Sequence, residues 1–253
     1  MGKNKLKKFA ELTELPNVIQ CPYAVWSREG FPYAGKWRSD IFGNNHPIVL
    51  ELGCGRGEYT LGLARRYPEQ NFIGVDIKGN RIWNGAVEAH REGLENVRFL
   101  RTEIELLGHM FSPNEVDDIW LTFPDPQMKR IRKRLTSVRF LQLYRQILRP
   151  EGVIHLKSDS EFLYTFTREV AILNSLPILS DTANLYESDL PADSPLLTIR
   201  TYYESQWLKR GIPIKYLSFT LDTLSPQAED PDIEIEQDSY RSYGRKRRSE
   251  MGI

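Results

Sequence analysis

The chain reads as an α/β domain, a mostly parallel sheet with helices on both faces. Two observations lead there. Short apolar runs rich in β-branched residues alternate with segments of helical period between Pro47 and Asn174. The first run then breaks directly into a glycine triplet, Gly53, Gly55 and Gly57, before a helical segment opens. Such alternation implies parallel pairing through right-handed crossovers, which covers both faces of the sheet.

The elements follow in order. Residues 1 to about 30 are polar, contain Pro16, Pro22 and Gly30, and show no sustained period. Residues 1–44 are therefore expected to form an N-terminal arm ahead of a domain over 45–222. PIVLEL (47–52) is a buried strand, and Tyr59 to Tyr67 has helical spacing, stopped by Pro68. NFIGVDI (71–77) is a second strand, and Arg81 to Glu92 a helix that Gly93 ends. NVRFLR (96–101) and VDDIWLTF (116–123) are the third and fourth strands. Ser137 to Leu148 is a helix, GVIHLKS (152–158) a fifth strand, and Ser160 to Asn174 another helix. After Pro177 the pattern loosens, with TIRTYYES (198–205) and IKYLSFTL (214–221) read as two further strands. Residues 223–253 read as a polar tail with little order, and no internal repeat is present.

Composition narrows the function classes. A chain of 253 residues buries a sizeable core without staples, and two cysteines, Cys21 and Cys54, are too few for a disulfide scaffold. Apolar residues at 40% and charged residues at 27% argue against wholesale disorder. No apolar run approaches the roughly 18 residues of a membrane span. The N-terminal MGKNKLKKFAEL lacks the apolar stretch of a secretory signal, so the cytoplasm is the expected compartment. The 34 basic residues balance 34 acidic ones, but unevenly along the chain. Between Asp125 and Glu151 lie eight Lys or Arg and no acid, while SYRSYGRKRRSE near the end carries five basic residues and one acid. Segregated charge of this kind can steer a polyanion even at zero net charge. The alternative is a solvated face.

ELGCGRGEY follows a strand and opens a helix, the context of a nucleotide-type loop. The pattern is GxGxG, neither the dinucleotide GxGxxG nor a phosphate-binding P-loop. Glu51 stands at the strand end, where a carboxylate suits a cationic group better than a pyrophosphate. Asp76 ends the second strand, where it can accept both hydroxyls of a ribose. Cys54 is a small space-filler with no histidine near it in sequence. A nicotinamide enzyme and a plain strand-to-helix turn are the other readings of the loop. The fourth strand ends in TFPDPQMKR, at the sheet edge where ligands bind. Asp125, held between two prolines, has a restricted backbone and is placed to meet both cofactor and acceptor. The histidines His46, His90, His109 and His155 match no metal-binding spacing, so no metal is expected.

ELGCGRGEY, VDI, TFPDPQMK, a basic stretch, HLKSDSEF and TYYESQWLKRG occur in that order. Together they resemble the bacterial tRNA (guanine-N7)-methyltransferases, over roughly residues 45–220. The resemblance implies a Rossmann-like class I methyltransferase fold with a seven-stranded sheet, the last strand antiparallel. It implies S-adenosylmethionine as methyl donor and guanosine 46 of the tRNA variable loop as acceptor. Carried over by residue, it implies cofactor contacts from Glu51, Gly53, Gly55, Gly57, Asp76, Glu103 and Asp125. It implies acceptor contacts from Lys129, Asp159, Thr201, Tyr202, Tyr203 and Glu204, with Asp125 as the catalytic aspartate. Two departures stand out. The family has Asp where this chain has Glu103. It also commonly has FPDPWPK followed by a histidine, where this chain has Gln127 and a segment about two residues shorter.

Guanine N7 carries a lone pair and no proton, so its methylation needs no general base. The expected protein groups hold the base and supply negative potential where positive charge arrives, a task for Asp125, Asp159 and Glu204. A methyltransferase acting on a small molecule or protein, and an inactive RNA-binding relative, are the rival readings. Both a monomer and a homodimer are compatible with the sequence.

Overall fold

Runs such as IVLEL have no polar face to turn towards water, so they settle in the middle of a sheet covered on both sides. A computed structural model of the protein describes residues 3–240. Its strands are β1 (Val18–Gln20), β2 (Ile48–Leu52), β3 (Asn71–Val75), β4 (Val97–Arg101), β5 (Val116–Thr122), β6 (Leu148–Ser158), β7 (Ile178–Thr182) and β8 (Lys215–Thr220). Among the described residues they form one eight-stranded sheet in the order β1-β4-β3-β2-β5-β6-β8-β7. The pairs from β1 to β6 are parallel, and β8 runs antiparallel to both β6 and β7. Every residue of β2 and β3 is buried, as their sequences require.

The helices are α1 (Lys3–Glu14), α2 (Tyr23–Glu29), α3 (Glu58–Arg66), α4 (Gly79–Glu92), α5 (Leu107–Met110), α6 (Val138–Ile147), α7 (Glu161–Leu173), α8 (Pro195–Thr198) and α9 (Tyr202–Leu208). Local signals set their ends. Ser160 caps α7 by accepting from the Leu163 N–H at 3.0 Å. Gly93 stops α4 with φ 67°, its N–H turned back to the last carbonyls. Strand alternation divides the core in two. Leu50, Ile73 and Ile119 face α5, α6 and α7, while Val49, Phe72 and Trp120 face α1, α3, α4 and α8.

Three sequence expectations change here. The polar stretch before residue 30 supplies α1, β1 and α2. β1 pairs in parallel with β4, Val18 opposite Phe99, and adds the eighth strand to the seven expected. Three residues are too few to show a period. Leu12 is fully buried, and it and Phe9 lie against α4 at Gly79, where an added Cβ would come within 2.9 Å of either. The second change concerns TIRTYYES, expected as a strand. It turns into α9, because Thr201 and Glu204 form a reciprocal capping box. Residues 178–182 provide the outer strand instead. Third, the stretch after Leu224 has little regular structure but is tethered. Asp230 accepts from the Val138 N–H at 2.8 Å, Asp238 meets Ser160, and Tyr240 reaches Asp159. The basic run after Tyr240 lies outside the described residues.

Candidate active site

At the carboxyl edge of β2 the chain enters the glycine loop with φ 74°, 57° and 75° at Gly53, Gly55 and Gly57. Glycine is required at Gly57 twice over. Its φ is left-handed, and an added Cβ would lie 2.6 Å from the Phe99 ring. The Gly53 and Cys54 N–H groups donate to the Val75 carbonyl at 2.8 and 3.1 Å, which ties the loop to β3. Asp76, next in the chain, accepts from the Gly55 N–H at 3.0 Å and the Lys78 N–H at 2.8 Å. The loop therefore orients the carboxylate expected to hold a ribose.

Glu51 is buried on the α3 side of the sheet. Its carboxyl group meets the Thr60 N–H at 2.8 Å and the hydroxyls of Thr60 and Thr122. Burial raises its pKa to about 7, against the hydrogen bonds from Thr122 and Thr60. Burial also pushes the Cys54 thiol well above its ordinary range, with Glu51 and Asp76 adding to the effect. Cys54 also lines the cavity beside Glu51.

Glu51, Gly53, Gly55, Thr201, Tyr202 and Tyr203 come together around one cavity of about 320 Å³. Gly53, Asp76 and Glu103 line a second of about 180 Å³, with Ile77, Ile104 and Phe140 as apolar walls. Glu103 also accepts from the Tyr23 N–H at 2.8 Å. Tyr202 and Tyr203 are 52% and 54% exposed at the rim.

Asp125 lies outside both cavities, on the loop after Phe123, which lines the first. It is exposed, and its Oδ1 accepts from the Gln127 N–H at 3.0 Å. Gln127 takes φ 47°, and its carbonyl accepts from Arg130 at 2.8 Å and Arg134 at 3.3 Å. The shortened loop is thus a folded turn. Lys129 is exposed beside it.

Two expected acceptor contacts point inward. Glu204 is fully buried, ion-paired to Lys157 at 2.7 Å and accepting from Tyr186 Oη at 2.8 Å. Asp159 is fully buried too, and accepts from Tyr240 Oη at 2.8 Å. Thr201 does line the cavity, but its hydroxyl is committed to capping α9. The basic stretch also divides. Arg134 is buried against the Phe162 and Phe166 rings at 4.6 and 4.4 Å, Lys133 pairs with Glu105 at 3.0 Å, and Arg149 pairs with Asp117 at 3.0 Å. Lys129, Arg130 and Arg132 stay exposed.

Sequence reasoning misses Thr60, Thr122 and Lys157, which hold Glu51 and Glu204 in place. It also misses Lys8, Arg56 and Arg81, which stand on the cavity rim. The charge run MGKNKLKK was the one available signal for Lys8.

A family model described as "Putative methyltransferase" matches residues 45–217. The tRNA (guanine-N(7)-)-methyltransferase of Bacteroides thetaiotaomicron is 54% identical over 252 residues, covering 98% of each chain. That of Porphyromonas gingivalis is 57% identical over 237 residues, 93% of this chain and 97% of its own. A solved 16S rRNA methyltransferase, KamB, superposes with a TM-score of 0.54 at 14% identity, over 74% of this chain and 92% of that one. This last likeness speaks to the fold, which is that of a class I methyltransferase. With near full-length identity above one half and the glycine loop, Asp76 and Asp125 gathered at one sheet edge, the chain belongs to the bacterial tRNA (guanine-N7)-methyltransferase family.

Proposed function

We propose that this protein transfers the methyl group of S-adenosylmethionine to N7 of guanosine 46 in the tRNA variable loop. The observation that carries the reading is the buried Glu51 carboxyl at the floor of a cavity walled by exposed tyrosines. The residues fit the donor. Bound there, S-adenosylmethionine supplies an electrophilic methyl group on a sulfonium. Glu51 suits its cationic end, Asp76 its ribose, and the apolar walls of Ile77, Ile104 and Phe140 its adenine. The glycine loop has GxGxG spacing and not the dinucleotide GxGxxG, which argues against a nicotinamide dinucleotide.

The chain's own residues then position and polarise. N7 would take up the methyl group through its lone pair and become cationic as the sulfur–methyl bond breaks and leaves a neutral thioether, so negative potential beside N7 lowers the barrier. Of the three acids expected to face the base, Asp125 is the exposed one. A carboxylate on the far, N1–H and N2–H edge of the base would select guanine over adenine. The direct test uses methyl-labelled donor and bulk tRNA, followed by nucleoside analysis. Labelled 7-methylguanosine is expected, and its loss when residue 46 of the tRNA is adenosine. Label in another nucleoside, or transfer to small molecules or protein alone, overturns the reading.

Asp76→Ala is expected to weaken donor binding tenfold to a hundredfold in calorimetry, since a hydrogen bond to a charged group contributes roughly 1.5–3 kcal/mol. Tight binding of NAD with none of S-adenosylmethionine would contradict it.

Glu51 makes donor binding pH-dependent. A cation beside it favours the carboxylate, so a carboxyl with a pKa near 7 releases a proton on binding. Donor affinity should therefore rise with pH through about 7, and Glu51→Gln should abolish that rise. Folding stability runs the other way. The folded pKa lies above the unfolded value of 4.5, so the protonated form favours folding. Stability from this site is full below pH 4.5 and declines as pH climbs to about 7, by about 3 kcal/mol. Denaturant titrations of wild type and Glu51→Gln should diverge over that window. Parallel curves would rule out the raised pKa.

A further inference from the structure

The rim of the larger cavity carries three cations from three separate elements. Lys8 comes from α1, Arg56 from the glycine loop, and Arg81 from the first turn of α4. Several other surface cations are held by acids. Arg65 binds Glu88 and Glu92 at 2.7 and 2.8 Å, Arg38 binds Asp117 at 2.7 Å, and Arg168 binds Asp181 at 2.8 Å. Among the described residues, none of the three rim cations forms an ion pair. Two of them are held by neutral groups instead. Lys8 Nζ lies 4.1 Å from the centre of the Trp83 ring and donates to Asn84 Oδ1 at 3.4 Å. The Arg56 guanidinium lies 5.6 Å from the centre of the Tyr202 ring. An aromatic face orients a cation without cancelling its charge, so the positive potential stays available to a ligand.

The position of Lys8 is built. α1 is seated on α4 by buried Leu12 and by Trp83 Nε1 donating to Glu11 at 2.7 Å. The cavity between the cations is too small for a folded partner, at about 320 Å³, and Tyr202 and Tyr203 at its mouth offer rings on which a base can stack. Any nucleotide drawn from a chain brings a phosphate on each side. Cations beside stacking rings are the pairing that single-stranded nucleic acid requires.

We propose that Lys8, Arg56 and Arg81 bind the phosphates flanking the nucleotide that enters this cavity, which makes α1 part of the RNA-binding surface. The proposal rests on tRNA as the acceptor. It differs from the sequence expectation, which put phosphate binding on the stretch after Asp125.

The test is the salt dependence of tRNA binding by the full chain, with Lys8, Arg56 and Arg81 all changed to Ala. Each lost phosphate contact on a single strand lowers the slope of log affinity against log salt by about 0.7, so the triple variant should lose about two units. Lys8→Ala alone should lose about 0.7. Melting temperature and donor affinity should be unchanged. An unaltered slope in the triple variant overturns the proposal, and an unaltered slope in Lys8→Ala removes α1 from the surface. Loss of donor affinity with tRNA binding intact also overturns it, by assigning the cations to the donor's carboxylate. Binding needs no turnover, so this result is separable from failure of the wild type to form 7-methylguanosine, which would refute the proposed reaction instead.

Discussion

Asp125→Asn is expected to lower turnover roughly a hundredfold while changing tRNA affinity far less. One preorganised charge facing a developing charge contributes about that much in other enzymes. The geometry allows a clean comparison. Asp125 lies between Pro124 and Pro126, and its Oδ1 accepts from the Gln127 N–H at 3.0 Å. The preceding Phe123 is anchored by its N–H to the Lys157 carbonyl at 2.8 Å. An asparagine keeps the shape and the Oδ1 acceptor and loses only the charge. The loss should fall on kcat, because the base becomes cationic only as the methyl group arrives. The rate should also show no requirement for a base titrating near neutral pH, since N7 has no proton to give up. Single-turnover rates equal to wild type would remove Asp125 from the mechanism.

Lys157→Met is expected to cost about 3–5 kcal/mol of stability, because it strands the buried Glu204 carboxylate without its partner. Lys157 and Glu204 are both fully buried and 2.7 Å apart. Lys157 Nζ also donates to the Leu196 and Ile199 carbonyls at 2.7 and 3.2 Å. One ammonium therefore ties α8 and the start of α9 to β6. Burial presses the Lys157 pKa down and Glu204 opposes it. In a domain of this size each kcal/mol shifts the melting temperature by about 2–4 °C, so a drop of about 10 °C should follow. Adding Glu204→Leu should recover part of it, since the stranded charge is then gone. Because α9 carries Tyr202 and Tyr203, tRNA affinity should suffer more than donor affinity. A Lys157→Met protein that melts with the wild type would show that the pair has no structural role.

The central strands were legible because nothing else competes for their residues. IVLEL and NFIGV are apolar on both faces and break into glycine or acid at the edge where ligands sit. β1 was not legible, since three residues paired only through Val18, Ile19 and Gln20 leave no period. The TYYE stretch misled differently. Two adjacent tyrosines favour a strand, yet Thr201 and Glu204 already spelled a helix start, and the cap prevailed because it satisfies N–H groups that a buried helix end must satisfy.

The amino-acid sequence by itself determined the local features. These are the parallel core, the glycine turn, and Glu51 and Asp76 at the ends of successive strands. They follow from backbone sterics and short-range periodicity, which neighbours in sequence decide. The tertiary structure alone decided which carboxylates are buried and with which partners. Glu204 and Asp159 turn inward to Lys157 and Tyr240, and Glu51 is clasped by Thr122 from 71 residues away. It alone brought Lys8 to within 3.4 Å of Asn84, 76 residues on, at the mouth of the site. Such contacts form because buried charges must find partners and apolar faces must find cover, and the partners come from whichever segments the fold carries past them.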